Sequence, residues 1–78
     1  MLPVVLKKKL LNYVHNRYKD PIAATLCQKH LLAINAYDKA GLRNLVLVIE
    51  NDQNYNQGKF EDKAKELEQL HKELLKYI

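Results

Sequence analysis

The sequence predicts an all-α fold: a compact antiparallel bundle of four helices that forms a single domain over residues 1–78. Apolar residues recur at helical spacing along most of the chain, and charged residues occupy the opposite faces. Only two glycines and two prolines occur, and three of them lie where helix boundaries are expected. The helices are expected over about residues 3–18, 21–40, 42–50 and 59–77.

The first two helices have clear boundary signals. Pro3 lies early enough for the first turn of a helix, and Asp20 followed by Pro21 is typical of a helix start. The Asp side chain accepts hydrogen bonds from free backbone amides, and Pro has no amide to satisfy. Gly41 lies where a left-handed residue is expected to end the second helix. The expected core-facing residues are Leu2, Leu6, Leu10, Tyr13, Val14 and Tyr18, followed by Ile22, Leu26, Cys27, His30, Ala33, Ile34 and Tyr37.

Residues 42–50 fit either a helix or a strand. The apolar spacing of Leu42, Leu45, Val46 and Ile49 favours a helix, whereas the continuous apolar run 45–49 is also typical of a buried strand. No second strand is available to pair with it, and an unpaired strand is unstable. We therefore expect a short third helix. The alternative is a three-helix core in which residues 42–50 are a connector.

The remaining residues divide into a loop and a fourth helix. The segment 51–58 is rich in Asn, Gln and Gly, which predicts a loop. Residues 59–77 have the clearest amphipathic pattern in the chain, with acidic residues near the start as the helix dipole prefers. The expected core-facing residues are Phe60, Ala64, Leu67, Leu70, His71, Leu74, Leu75 and Ile78.

The composition suggests a cytoplasmic protein. The chain has a single cysteine, Cys27, so no intramolecular disulfide can form, and a lone thiol is typical of a reducing compartment. The longest apolar run spans residues 45–49, far short of the roughly 20 residues that cross a bilayer. The first six residues are followed directly by lysines, whereas a signal peptide begins with positive charge.

No pattern of catalytic, cofactor-binding or metal-binding residues is present. Cys27, His30 and His71 are the nearest approach to a metal site, but zinc needs three or four ligands, usually in paired clusters. Cys27 also lies on a predicted core face, without a glycine-rich turn that could present a nucleophile. Two isolated glycines cannot form a phosphate-binding loop. We therefore expect no enzyme activity, no cofactor and no metal.

The net charge of +4 is unevenly distributed. Residues 1–43 contain eight Lys or Arg and two acidic residues, whereas residues 44–78 contain five and seven. This asymmetry indicates either an anionic partner or attraction between the two halves of the bundle. The candidate anion-binding residues are Lys7, Lys8, Lys9, Arg17 and Lys19. Consecutive lysines on a helix point about 100° apart, which favours a solvated face over a shared binding surface.

Four apolar residues lie off the predicted core faces. They are Val5, Leu32, Leu47 and Val48. Exposed apolar clusters mark contact surfaces, so these residues are the candidate partner-binding set, for another protein or for self-association. The alternative is that a wide bundle buries some of them.

Two resemblances bear on function. The segment 54–60 with Ala64 resembles the turn and second-helix start of a tetratricopeptide repeat, although that family spaces its Gly and Ala one residue closer, and no 34-residue recurrence exists. In size, charge and helix layout the chain is similar to the cytosolic immunity proteins of bacteriocin producers. The sequence thus predicts a small non-catalytic helical protein that acts by protein–protein interaction, as an adaptor, regulator or immunity-type inhibitor. A small nucleic-acid-binding domain that uses the basic first half is the alternative.

Overall fold

The computed structural model describes all residues 1–78 and contains helices but no strands. A single 3₁₀ turn at Pro21–Ala23 precedes the second helix. The predicted four-helix bundle is therefore confirmed, and residues 45–49 lie inside a long helix rather than in a strand or a connector. The helices are α1 (Val4–Arg17), α2 (Ala24–Ala36), α3 (Lys39–Asn56) and α4 (Glu61–Leu75).

The helices form a closed ring in chain order. Each helix packs against the next, and α4 packs against α1, whereas the diagonal pairs α1–α3 and α2–α4 make no close backbone approach. The α3–α4 pair has the most extensive contact and the α1–α4 pair the least. The molecule measures 34 × 31 × 19 Å, so it is distinctly flattened. No helix is long and apolar enough to cross a membrane.

A single apolar cluster holds the four helices together. Burying one leucine side chain stabilises the fold by roughly 1.5–3 kcal/mol, so the helices that contribute most members are the most firmly held. Ile34 is the only member that α2 contributes, and α2 is therefore the most weakly anchored helix. The members are Leu2, Leu6, Leu10, Val14, Ile34, Leu42, Leu45, Val46, Ile49, Leu67, Leu70 and Leu74.

The predicted helix start at Asp20 and Pro21 is confirmed. An Asp20 carboxylate oxygen accepts a hydrogen bond from the backbone nitrogen of Ile22 at 3.0 Å, and Pro21 occupies the first helical position. The predicted core positions of Ile22 and Leu26 are wrong, because these side chains are 93% and 51% exposed. A 3₁₀ turn has about three residues per turn rather than 3.6. It therefore shifts the phase of the apolar face, and Ile22 points to solvent.

The predicted end of the second helix at Gly41 is also wrong. The helix ends at Ala36, and Tyr37 adopts the left-handed conformation (φ 50°) that was expected of Gly41. The Tyr37 hydroxyl donates a hydrogen bond to the carbonyl oxygen of Tyr77, which ties this turn to the end of the chain. The side chain of Asp38 accepts from the backbone nitrogen of Ala40 at 3.2 Å and so starts α3. The left-handed residue Tyr37 thus ends α2, and the Asp38 cap starts α3, earlier in the chain than the apolar periodicity predicted.

Gly41 lies in the first turn of α3 and has a packing role. A Cβ atom at this position would lie 2.6 Å from the Cβ of Ala33, closer than two such carbons can approach. The glycine therefore allows α2 and α3 to pack in close contact.

The predicted loop at residues 51–58 is largely wrong, because α3 continues to Asn56. The polar side chains in its last turns make specific bonds: Asp52 accepts from Tyr13 of α1, and the Asn56 amide donates to the Asp52 carbonyl at 2.7 Å. The turn proper needs Gly58, whose φ is 79° and whose amide donates to Glu61 at 2.5 Å. These hydrogen bonds therefore keep residues 51–56 helical, although their composition is typical of a turn.

The predicted fourth helix is confirmed over Glu61–Leu75, with two corrections to its apolar face. Phe60 precedes the first helical residue and is 61% exposed, because the turn carries it off the face that buries Ala64 and Leu67. Leu75, in the last turn, is also largely exposed. His71 and Ile78 are half-buried at the margin of the core.

Gly41→Ala should destabilise the fold by about 1–3 kcal/mol, because the new methyl group overlaps Ala33 and forces α2 away from α3. Thermal unfolding followed by circular dichroism should show a drop in Tm of about 4–8 °C for each kcal/mol in a domain of this size. Asn44→Ala, on the exposed side of α3, is the control and should change stability by less than about 0.5 kcal/mol. Unchanged stability of Gly41→Ala would show that the two helices are not held in close contact.

Candidate functional site

The helices differ sharply in charge. Lys29 is the only charged residue among the 13 residues of α2, whereas eight of the 15 residues of α4 are charged. Yet α2 buries only His30, Ala33 and Ile34. A surface helix normally has a polar outer face, and an apolar helix is normally covered on several sides. The outward side of α2 therefore carries much less charge than an ordinary solvated helix surface.

An uncharged surface extends from α2 onto α3. The contact between Ala33 and Gly41 fixes which sides of the two helices face each other, and helical spacing then gives the residues on their shared outer side. Lys29 is the only charged residue on this surface, which we name the hairpin face. Its members are Ile22, Thr25, Leu26, Lys29, Leu32 and Ala36 from the α2 side and Asn44, Leu47, Val48, Asn51 and Tyr55 from α3.

The apolar side chains of the hairpin face are accessible. Leu32 and Leu47 are 58% and 60% exposed, and Val48 is half-buried. Charge begins only at the borders: Arg43 and Glu50 lie one turn before and one turn after Leu47, and the Lys59 ammonium lies 4.2 Å from the centroid of the Tyr55 ring. The face is thus apolar with a charged rim, as protein interfaces commonly are.

The hairpin face gathers three of the four predicted partner-binding residues. Leu32, Leu47 and Val48 belong to it, whereas Val5 is exposed on α1, on another side of the bundle. Ile22, Leu26 and Tyr55 were missed, because the periodicity assigned the first two to the core and composition assigned the third to a loop. The scarcity of charge in Pro21–Ala36 is the sequence signal that indicates this surface.

A cleft of about 530 Å³ lies between α1 and α4, the two helices that pack least closely. Leu67 and Leu70 line it, with Tyr13 and Asp52 among the polar groups. A second cavity of about 260 Å³, which includes Val5, shares Lys9 and Gln69 with the cleft. Both therefore belong to one groove along α1 and α4.

The predicted anion-binding residues do not form one surface. The Lys9 ammonium lies 3.6 Å from a Glu73 carboxylate oxygen, and Arg17 Nε lies 2.8 Å from Asp52 Oδ2. Lys7 is half-buried, whereas Lys8 is exposed in the first half of α1 and Lys19 is exposed beyond its last residue. Two of the five cations are thus already paired with carboxylates within the fold.

Asp52 joins α3 to α1 across the bundle. The Tyr13 hydroxyl donates a hydrogen bond of 2.5 Å to the same Asp52 oxygen that Arg17 contacts. Burial raises the pKa of the Tyr13 hydroxyl well above its ordinary value of 10.0, and the adjacent Asp52 carboxylate adds to the rise. Tyr13 therefore stays a neutral donor, and the three side chains connect two helices whose backbones do not touch.

The three candidate metal ligands do not come together, because His71 lies on the helix diagonal to the one that carries Cys27 and His30. Cys27 and His30 are on α2, where the His30 ring stacks on Tyr18 with centroids 5.4 Å apart. His71 is on the diagonal helix α4, with Nε2 3.9 Å from a Glu50 oxygen. No group of three or more His, Cys, Asp or Glu side chains has a geometry that could hold a metal ion.

Comparison of the chain with models of protein families, with curated proteins and with solved structures finds no match. Neither the tetratricopeptide-like segment nor the immunity-protein layout is therefore supported by relatives. In the structure, the segment 54–60 comprises the end of α3 and the turn before α4. The geometry of this chain is therefore the only basis for proposing its function.

The stability of the fold should decrease as the pH falls below about 6.5, because the unfolded chain then binds a proton at His30 that the folded state disfavours. Burial, together with the charge of Lys29, lowers the pKa of His30 below its ordinary value of 6.5. A depressed folded-state pKa contributes stability above the unfolded-state value and loses it at lower pH. Urea unfolding at a series of pH values should give a weaker acid dependence for His30→Gln, whereas His15→Gln, at an exposed histidine, should behave as the parent. Equal slopes for both variants would contradict this assignment.

Asp52→Asn should destabilise the fold by about 1 kcal/mol, after allowance for the solvent that screens the half-exposed Arg17. The change removes the carboxylate that both Arg17 and Tyr13 contact. In a double-mutant cycle measured by urea unfolding, Tyr13→Phe should cost less in the Asp52→Asn background than in the parent. Strictly additive effects would show that the Tyr13 and Asp52 side chains are not coupled. Glu50→Gln, whose carboxylate is 3.9 Å from His71, is the control for charge removal on α3.

Proposed function

We propose that the protein acts by binding another protein through the hairpin face, as an adaptor, a regulator or an immunity-type inhibitor. The observation that supports this most directly is the combination of exposed apolar side chains and a single charged residue, Lys29, on the shared outer side of α2 and α3. No catalytic step is included, because Cys27 is half-buried within α2 and no side-chain hydrogen bond joins it to a base. The proposed setting is the cytosol, in keeping with this free thiol.

The energetics favour a covered hairpin face. Full burial of a Leu or Ile side chain contributes roughly 1.5–3 kcal/mol relative to leaving it in water. Ile22, Leu32 and Leu47 are each more than half exposed, so most of that contribution is not realised in the isolated chain. A few such residues at the centre of a contact commonly supply most of its binding energy. The hairpin face thus has exposed apolar side chains of the kind that supply binding energy in protein interfaces.

The nucleic-acid alternative has less support. Phosphate binding depends on free cations gathered on one surface, whereas Lys9 and Arg17 are paired with Glu73 and Asp52. The hairpin face would be left unused by such a function. A protein partner uses the hairpin face directly and does not require those ion pairs to open.

Leu32→Glu and Leu47→Glu should each weaken partner binding by at least about tenfold, which corresponds to roughly 1.4 kcal/mol, because a carboxylate would be buried without a counter-charge. The measurement is affinity purification of the tagged chain from its native host, with bound proteins quantified by mass spectrometry. Both side chains are more than half exposed, so helical content by circular dichroism should stay close to that of the parent.

Val4→Glu is the matched control, since Val4 is an equally exposed apolar residue on α1, away from the hairpin face. Proteins bound by the parent and by Val4→Glu but lost from both leucine variants would support the proposal. Proteins retained by the leucine variants and lost from Val4→Glu would contradict it. Submicromolar binding of a generic DNA duplex at physiological salt, abolished by replacing Lys7 and Lys8 with Glu, would favour the nucleic-acid alternative instead.

A further inference from the structure

We propose that the cleft between α1 and α4 is a binding site for a small organic carboxylate with an apolar body, of the medium-chain fatty acid type. The cleft lies on the side of the ring opposite the hairpin face, so the proposal is independent of the protein partner proposed above. The size of the cleft, its apolar surface, its charges and a fixed arginine each support this class of ligand.

The cleft has the dimensions of a small-molecule site. Its volume is about 530 Å³, and pockets for small ligands commonly measure roughly 300–1,000 Å³. At one end the ion pair between Lys9 of α1 and Glu73 of α4 joins the two walls. From Lys9 to Arg17, at the other end, the α1 wall is about 12 Å long. A polypeptide partner needs a larger contact than this, whereas a small molecule fits.

The inner surface of the cleft is mostly apolar. Leu67 and Leu70 line it from α4, and the Tyr13 ring lines it from α1. The aliphatic stems of long basic side chains add further carbon, while their charged groups remain in water. An apolar ligand body that covers this concave surface removes it from water, which favours binding.

One arginine in the cleft is held in a fixed position. Arg17 Nε lies 2.8 Å from Asp52 Oδ2, and the guanidinium carbon lies 5.3 Å from the centroid of the Tyr18 ring. The ion pair is made through Nε, so the N–H donors of the two terminal nitrogens remain for a ligand. A planar carboxylate matches the geometry of these donors. Because the side chain is already oriented, binding an anion costs little conformational entropy.

The charges around the cleft favour a ligand with a single negative charge. Three cations and two carboxylates line it: Lys9, Arg17, Lys63, Asp52 and Glu66. Lys63 is exposed and takes part in none of the ion pairs of the fold, so its charge is free to attract a ligand. The α1 wall contains no acidic residue, and the net charge of +4 draws anions towards it. A polyanion would bring more negative charge than this lining balances.

Titration of the ¹⁵N-labelled full chain with sodium octanoate, followed by nuclear magnetic resonance, tests the proposal. The side-chain amides of Asn12, Asn16 and Gln69 line the cleft, and their signals should shift with a dissociation constant of about a millimolar. The amides of Asn44 and Asn51 lie on the hairpin face and should not shift, so each spectrum contains its own control. Each methylene added between hexanoate and octanoate should tighten binding by up to about fourfold.

Charge variants test which groups bind the carboxylate. Lys63→Gln should weaken octanoate binding about threefold, and Glu66→Gln should tighten it by up to about threefold, because each changes the charge beside the ligand. Lys65→Gln, at an exposed lysine of α4 outside the cleft, is the matched control and should leave binding unchanged. Arg17→Gln should weaken binding by at least about tenfold. Circular dichroism checks that this last variant is folded, because it also breaks the pair with Asp52.

Shifts confined to the cleft amides, with affinities in this order, would support the proposal. The absence of shifts at about 10 mM octanoate, or shifts of equal size in Asn44 and Asn51, would overturn it. Octylammonium that binds as tightly as octanoate would overturn the assignment of a negatively charged ligand. None of these results depends on the hairpin face, whose protein partner is tested separately by Leu32→Glu and Leu47→Glu.

Discussion

The close contact between Ala33 of α2 and Gly41 of α3 determines which side chains of this small protein remain at the surface. Because no Cβ separates the helices at this point, α2 and α3 pack closely. Their outer sides, which carry few charged residues, therefore lie next to each other. A wider separation would rotate and divide that surface. The hairpin face is thus a consequence of one missing methyl group as much as of the residues that compose it.

A second constraint is the small size of the core. Twelve buried apolar residues form the cluster that holds four helices, and α2 supplies one of them. The helix with the least charge is therefore also the helix with the weakest hold on the interior. Such a helix gains more than its neighbours from being covered on its outer side, since additional burial stabilises it directly.

The uneven charge of the chain is partly used inside the fold. Lys9 with Glu73 and Arg17 with Asp52 each join the basic first half of the chain to the acidic second half. These pairs are partly exposed, so their contribution to stability is modest. They nevertheless neutralise two of the side chains that were predicted to bind an anion, Lys9 and Arg17. Attraction between the two halves therefore accounts for part of the asymmetry without an external partner.

The elements that were predictable from the sequence are those with local physical causes. The cap at Asp20 and Pro21, the amphipathic stripe of α4 and the helical state of residues 45–49 all follow from neighbouring residues. The predictions for Gly41 and for residues 51–58 were wrong because distant residues decide them: Ala33 requires the glycine, and Tyr13 and Arg17 hold Asp52 in a helix. The candidate site was predicted in part, since off-stripe positions indicated Leu32 and Leu47, whereas Ile22 was hidden by a 3₁₀ turn that apolar spacing does not reveal.

If the hairpin face is covered when the protein acts, side-chain footprinting in living host cells should detect the cover. Hydroxyl-radical oxidation of each residue would be compared between cells and a dilute purified sample. We predict strong protection of Leu32 and Leu47 in cells, with Val4 and Phe60, which are exposed outside the hairpin face, oxidised equally in both. Equal oxidation of Leu32 and Leu47 in cells and in dilute solution would contradict it.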